Sequence, residues 1–459
     1  MNTDTIAAIA TGMTPSGIGI IRISGEDAFK VASSVFLKKN GDPVDKYEHK
    51  KAVFGYVHDK DIVLDEVILL IFKAPCSYTG EDTVEIQCHG GILLMQKILE
   101  LVIREGARPA DPGEFTKRAF LNGKMDLSEA EAVMDVISSH NDLALKNSVR
   151  QLRGSLYDKI TDIRKEILHE IAYIESALDD PEHFDLEGYP DSLSVKILRI
   201  LHDLETLSDS FNDGRILSEG VRTVIIGKPN VGKSSLLNIL AGSERAIVTE
   251  IAGTTRDTIE ESISIGGVML HVIDTAGIRQ SEDPVEQIGV KKAMDIAQDA
   301  DLIIMVADSS QVLSSEDEEI LSFIRKNEKK CVILLNKSDL NTVIGPEEIA
   351  CFTNDPVITV SAKDESGIDE LRNYIVSEFS KGFIKYNDEI FITNARQKDA
   401  LNRAIRSLLC VAKSITQRMS EDFYSIDLTA AYESLGTVIG EQVEDDVIEE
   451  IFGKFCMGK

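Results

Sequence analysis

One run constrains this chain more than any other: Gly227-Lys228-Pro229-Asn230-Val231-Gly232-Lys233-Ser234, which follows the apolar stretch Arg222 to Ile226 and precedes Leu236-Leu237. The spacing G-x-x-x-x-G-K-[ST] between a strand and a helix makes a loop whose backbone N–H groups wrap phosphates at a helix N-terminus. Lys233 is placed to reach the β and γ phosphates, and the Ser234 hydroxyl to ligate Mg²⁺. The phosphate-binding stretch runs from Asn230 through Val231 and Gly232 to Ser235.

Such a loop needs a sheet behind it. Between about 219 and 383 further apolar runs occur at Leu270 to Ile273, Leu302 to Val306, Val332 to Leu335 and Val357 to Val360, separated by helix-length segments. That alternation predicts a doubly wound parallel sheet covered on both faces, with right-handed crossovers. Ligands then gather at the carboxyl ends of the strands. Asp274-Thr275-Ala276-Gly277 ends one strand, where Asp274 can hold Mg²⁺ through water and the Gly277 N–H can touch a γ-phosphate. Asn336-Lys337-Ser338-Asp339 ends another, and the Asp339 carboxylate can accept both N–H groups on the Watson–Crick edge of guanine. Adenine would leave that carboxylate unpaired against an acceptor, a cost of about 3 kcal/mol or more. Ser361-Ala362-Lys363 follows the last strand and closes over the base. The ligand is GTP. The residue after Asp274-x-x-Gly277 is Ile278 rather than a water-orienting Gln, so Glu282-Asp283-Pro284-Val285-Glu286 is the nearest source of a polar group for the attacking water.

The rest of the chain has a different texture. With 459 residues, about three domains are expected. Residues 1–122 mix strand-like runs (Ile18 to Ile23, Val63 to Phe72) with turn signals at Gly17, Gly80, Gly90 and Pro112, an α+β domain. Residues 123–218 are predicted helical: Asp126 can cap a helix with Glu129, no Gly or Pro interrupts Ser155 to Asp180, and Leu193, Ile197, Ile200, Leu204, Leu207 and Phe211 form one stripe. After the α/β unit at 219–383, helical periodicity returns over 384–459 through Leu401, Ile405, Leu408 and Val411, then Val443, Val447 and Ile451. The α/β unit is thus expected to be an insertion in a helical domain.

The net charge of −29 argues against loose, charge-driven nucleic-acid binding, so any RNA must meet a local basic patch. Six scattered cysteines without a C-x-x-C pair suit neither a zinc ribbon nor a disulfide framework. Cys456 has no nearby His to activate it, and His89, lacking further ligands at metal spacing, reads as a turn residue. No apolar run is long enough for a membrane span and no signal peptide opens the chain, so a cytoplasmic protein is expected.

Four stretches resemble the MnmE (TrmE) family of tRNA-modification GTPases. They are Gly17-Ile18-Gly19-Ile20-Ile21-Arg22-Ile23-Ser24-Gly25; Tyr78 to Asp82 with Cys88-His89-Gly90-Gly91; Pro112-Gly113-Glu114-Phe115 to Lys124-Met125-Asp126-Leu127; and the terminal Phe455-Cys456-Met457-Gly458-Lys459. The resemblance implies an N-terminal folate-binding and dimerising domain, a discontinuous helical domain and an inserted G domain. It further implies a homodimer working with the flavoprotein MnmG (GidA) in a heterotetramer, FAD and NADH residing on that partner. A carboxymethylaminomethyl or aminomethyl group would go onto carbon 5 of a tRNA wobble uridine, with (6S)-5-formyl- or methylene-tetrahydrofolate as one-carbon source. GTP hydrolysis would require K⁺. By the same resemblance Asn230, Thr249, Ile251 and Thr254 would hold K⁺, within the loop Thr249-Glu250-Ile251-Ala252-Gly253-Thr254. Thr255 would be the second Mg²⁺ hydroxyl beside Ser234, Glu286 the catalytic glutamate, and Arg22, Glu85, Lys124 and Lys459 the folate site. The alternatives are a ribosome-assembly GTPase switch, disfavoured by the acidic helical segment after 388, and a scaffold GTPase, disfavoured by the lack of heptads.

Overall fold

The structure is a computed structural model. It describes residues 4–38, 44, 48–180, 182–183, 186–243, 260–273, 294–327, 329–385, 390–441, 443, 445–455 and 458. Two compact units emerge: residues 1–137, 149–204 and 399–459, and residues 138–148 and 205–398.

The first unit contains a seven-stranded sheet in the order β3-β4-β5-β6-β2-β1-β7. Its strands are β1 (Ile6–Ile9), β2 (Ser16–Ser24), β3 (Phe36–Leu37), β4 (Lys51–Asp59), β5 (Ile62–Phe72), β6 (Thr83–Gly90) and β7 (Arg108–Pro109). Alternation along β2 sends Ile21 and Ile23 to one face, where they pack with Val31, Met95 and Ile98 of the helices Ala28–Val35 and Ile92–Arg104. Arg22 and Ser24 therefore belong to the other face. There the helix Glu114–Leu121 lays Phe115 against Ile6 and Ala8. Gly17 and Gly90 are strand residues rather than turns; at Gly90 β2 and β6 approach so closely that a Cβ would stand 2.2 Å from Ser16 Oγ, whereas at Gly17 a Cβ would meet nothing within 4 Å. His89 likewise lies within β6, its ring nitrogen 2.8 Å from Asp65 Oδ1.

The helices of this unit form as their caps and stripes predict. Asp126 Oδ1 accepts from the Ser128 and Glu129 N–H groups while Glu129 Oε2 accepts from the Asp126 N–H, a reciprocal cap opening the helix Leu127–Ser138. The long helix Ser155–Asp179 lies along the helix Glu421–Ile439. They are joined where Arg164 pairs with Glu441 at 2.5 Å and stacks 4.1 Å from the Tyr432 ring centroid. The last helix, Asp445–Gly453, packs Ile448 and Phe452 against Leu127 and Ala130. Phe211 does not continue the stripe begun at Leu193, since the helix Tyr189–Asp209 ends before it and Phe211 opens a new helix to Glu219.

The second unit holds a six-stranded sheet, β13-β12-β11-β8-β10-β9. Its strands are β8 (Val221–Ile226), β9 (Glu260–Ile265), β10 (Val268–Ile273), β11 (Leu302–Asp308), β12 (Cys331–Asn336) and β13 (Val357–Thr359). Five are parallel, but β9 pairs antiparallel with β10, so the sheet is not the purely parallel one expected. One face packs on the helices Lys233–Ser243 and Ile368–Lys385, the other on Ser315–Asn327 and Pro346–Ala350. All seven residues of β11 are buried, as a central strand covered on both faces requires.

Candidate active site

The carboxyl ends of β8, β12 and β13 bring three sequence signals together. After β8 the chain passes through Gly227 (φ 148°), Asn230 (φ 61°) and Gly232 (φ 101°) before the helix begins at Lys233. A Cβ at Gly232 would lie 2.2 Å from Asn336 Nδ2, so only glycine allows the approach. Asn336 makes that approach useful: its Nδ2 donates to Val231 O at 2.6 Å and its Oδ1 accepts from the Ala362 N–H at 3.0 Å. One buried amide thus ties the phosphate loop to both base-binding segments.

The base side is equally ordered. Ser361 Oγ donates to Asp339 Oδ1 at 3.0 Å, and Lys363 Nζ stands 3.8 Å from Asp339 Oδ2. Lys337, held at φ 65°, reaches Asp308 Oδ2 at 2.7 Å. Burial raises the Asp308 carboxyl, but the bonds from Lys337 and Ser310 outweigh it and hold it below its ordinary value. Asp339 therefore keeps acceptor capacity where a guanine edge would arrive. Lys233 Nζ donates to Gly227 O and Lys228 O, both at 2.6 Å, folding over the cradle that phosphates would fill. Ser234, Ser235 and Asn230 are exposed at its rim. The donor set fits a nucleoside triphosphate with a divalent cation. Thr249 to Thr255, Asp274 to Gly277 and Glu286 lie outside the described residues.

A second cluster forms around Arg22 in the other unit. Its guanidinium pairs with Glu85 at 2.9 Å and sits 5.5 Å from the Tyr78 ring centroid and 5.6 Å from that of Phe115. Burial raises the Tyr78 phenol, whose hydroxyl meets Thr116 Oγ1 at 2.9 Å. The C-terminal tail arrives here as well: Gly458 O accepts from Arg22 Nη1 at 3.5 Å, and Gly458 is so close to β1 that a Cβ would be 2.3 Å from Ile9 O. Lys124 Nζ donates to Pro75 O at 3.0 Å. Aromatic faces, a guanidinium and a carboxylate fit a ligand with a flat ring and a carboxyl tail. Lys459 and Cys456 lie outside the described residues. Tyr78 and Phe115 carry no periodic signal that would have assigned them to Arg22. Among the described residues no group of His, Cys, Asp or Glu is arranged to hold a metal, and no helix is long and apolar enough to cross a membrane.

The phosphate loop, its Asn336 tie and the Asp339 acceptor define a P-loop guanine-nucleotide-binding protein. A family profile described as "MnmE helical domain" matches residues 127–456, and one described as "GTP-binding protein TrmE N-terminus" matches residues 5–124. The tRNA modification GTPase MnmE of Lachnoclostridium phytofermentans is 53% identical over 100% of both chains, and that of Clostridioides difficile 46% identical over 99% of each. Among solved structures, the G domain of the T. maritima FeoB iron transporter aligns at 29% identity over 35% of this chain and 99% of that one, with a TM-score of 0.27. The chain belongs to the MnmE family of tRNA modification GTPases.

Proposed function

We propose that this GTPase hydrolyses GTP in a K⁺-dependent cycle and, with a flavoprotein partner of the MnmG type, modifies carbon 5 of the wobble uridine of certain tRNAs, using a tetrahydrofolate one-carbon unit. Full-length similarity to relatives named tRNA modification GTPase is the observation that carries the tRNA reading. The working form would be a cytoplasmic homodimer assembled with its partner into a heterotetramer. Its functional parts would span 1–122, 123–218 with 384–459, and 219–383.

Within the G site, Ser234 and Thr255 would hold Mg²⁺, which together with K⁺ supplies positive charge to the phosphates as charge develops there. Asn230, exposed on a left-handed backbone at the loop rim, would offer its amide oxygen to K⁺ along with Thr249, Ile251 and Thr254. Lys233 would exchange two backbone carbonyls for phosphate oxygens. Glu286 would orient the attacking water in place of the Gln that Ile278 replaces. Asp339, held by Ser361, would select guanine. Arg22, Glu85, Lys124 and Lys459 would bind the folate, Tyr78 and Phe115 flanking it.

Mass spectrometry of wobble nucleosides from a strain lacking this gene tests the reading. Loss of 5-substituted uridines is expected; unchanged uridines would remove the modification role and leave the GTPase. Turnover in K⁺ against Na⁺ tests the cation, with equal rates counting against it, and Glu286→Ala should abolish turnover while GTP still binds.

A further inference from the structure

Between Ala400 and Ser420 the chain carries Arg403, Arg406, Lys413 and Arg418 and no carboxylate, in a protein where acidic residues outnumber Lys and Arg by 78 to 49. Most of this stretch is the helix Ala395–Thr416. Leu401, Ala404, Leu408 and Val411 form its buried side. At 100° per residue Arg406 and Lys413 fall opposite that side, about 10 Å apart along the axis. Both are exposed, as is Arg418 just past the helix end.

The cations of this stretch differ in their partners. Arg403, one turn earlier, is engaged by Asp399 and Thr437. Among the described residues Arg406 donates only to the Asn402 carbonyl, at 3.2 Å, and no carboxylate pairs with Arg406, Lys413 or Arg418. Elsewhere the surplus of acids answers many of the cations. Three exposed cations without a carboxylate partner in thirteen residues, two of them on one helix side, offer a track for anions of comparable spacing. Arginine forks suit phosphate oxygens, and each contact releases a condensed counterion.

We propose that this stripe is where the phosphate backbone of the tRNA substrate lies against the protein; the proposal rests on the tRNA-modification reading above. The strongly acidic remainder repels nucleic acid, so it confines RNA to this strip and prevents general adhesion.

The test is tRNA binding by the full chain carrying Arg406→Gln, Lys413→Gln and Arg418→Gln, titrated between 50 and 200 mM salt. The parent and an equally charge-reduced control, Lys30→Gln with Lys60→Gln and Lys97→Gln, are measured in parallel. Affinity of the triple variant should fall at least about tenfold at 50 mM salt, and the slope of log K against log salt should flatten by about 2. Melting and GTP turnover should match the parent, and the control should bind as the parent does. Unchanged affinity and slope, an equal loss in the control, a parent that does not bind tRNA, or a partner protein losing its grip on the triple variant while tRNA does not, would each overturn the proposal. Wobble-nucleoside analysis of the gene-deletion strain is independent of all these outcomes, so a failed stripe is distinguishable from a failed function.

Discussion

Lys228 Nζ stands 2.7 Å from Asp317 Oδ2, joining the second residue of the phosphate loop to the start of the helix Ser315–Asn327. The side chains are 17% and 2% exposed, and the same oxygen accepts from Ser314 N and Oγ, each at 2.9 Å. The loop is therefore fastened away from its phosphate side and keeps its shape when Lys233 swings toward a ligand. Lys228→Met leaves a buried carboxylate without its counter-charge and should destabilise the α/β unit by about 3 kcal/mol, read as a lower denaturant midpoint. Lys228→Arg should recover most of that loss. A midpoint unmoved in Lys228→Met would mean that the pair carries no load.

Asp339→Asn replaces an acceptor by a donor while keeping the side chain's size. Guanosine nucleotides should bind about a hundredfold more weakly, the equivalent of about 3 kcal/mol in charge-assisted hydrogen bonds. Xanthosine nucleotides, which present a carbonyl where guanine has its amino group, should gain. Competition titration with both bases reads the exchange.

Gly458→Ala puts a methyl group 2.3 Å from Ile9 O on a backbone at φ 86°. The tail should be displaced from Arg22, so binding of 5-formyl-tetrahydrofolate should weaken about tenfold or more, while GTP turnover and the melting temperature stay close to the parent. Equal folate affinity by calorimetry would show that the tail's seat is irrelevant to the Arg22 cluster.

Glu114 is buried, and burial raises its carboxyl; the paired bonds from Arg108 at 2.6 and 2.8 Å, the Asp111 N–H and Arg118 outweigh this and hold it below its ordinary value. A lowered folded value contributes stability that is complete above the unfolded pKa of about 4.3 and is lost as pH falls through the lower folded value. The first unit should therefore loosen below about pH 4, and Glu114→Gln should flatten that dependence while costing about 2 kcal/mol at pH 7. Circular dichroism melts from pH 3 to 7 measure both effects.

Much of the α/β unit was readable because strands buried on both faces are written as unbroken apolar runs. The strand β9 escaped because Glu260-Glu261-Ser262-Ile263-Ser264-Ile265 is an edge strand with only two buried apolar positions, too short an alternation to stand out. The nucleotide motifs were legible because phosphate and guanine chemistry demand particular residues at fixed spacing. Arg22, Tyr78, Phe115 and Gly458 are brought together only by the sheet and the returning tail, and contacts over such separations leave no local pattern. Gly90 reads as a turn because closeness of two strands and tightness of a turn call for the same residue.

The Arg164–Glu441 clasp has a consequence for how the chain is made. Synthesis of the helix Ser155–Asp179 is complete about 240 residues before that of its partner helix Glu421–Ile439 begins. At ~5–20 residues per second that is a wait of about 12–50 s, long enough for the α/β unit to fold first. During that interval the earlier helix has the helix Tyr189–Asp209 beside it, with Tyr189 and Lys196 on Glu170, but lacks the cover of Glu421–Ile439. Translation speed through the α/β unit thus sets how long a nascent chain of this architecture stays open to chaperones or to aggregation.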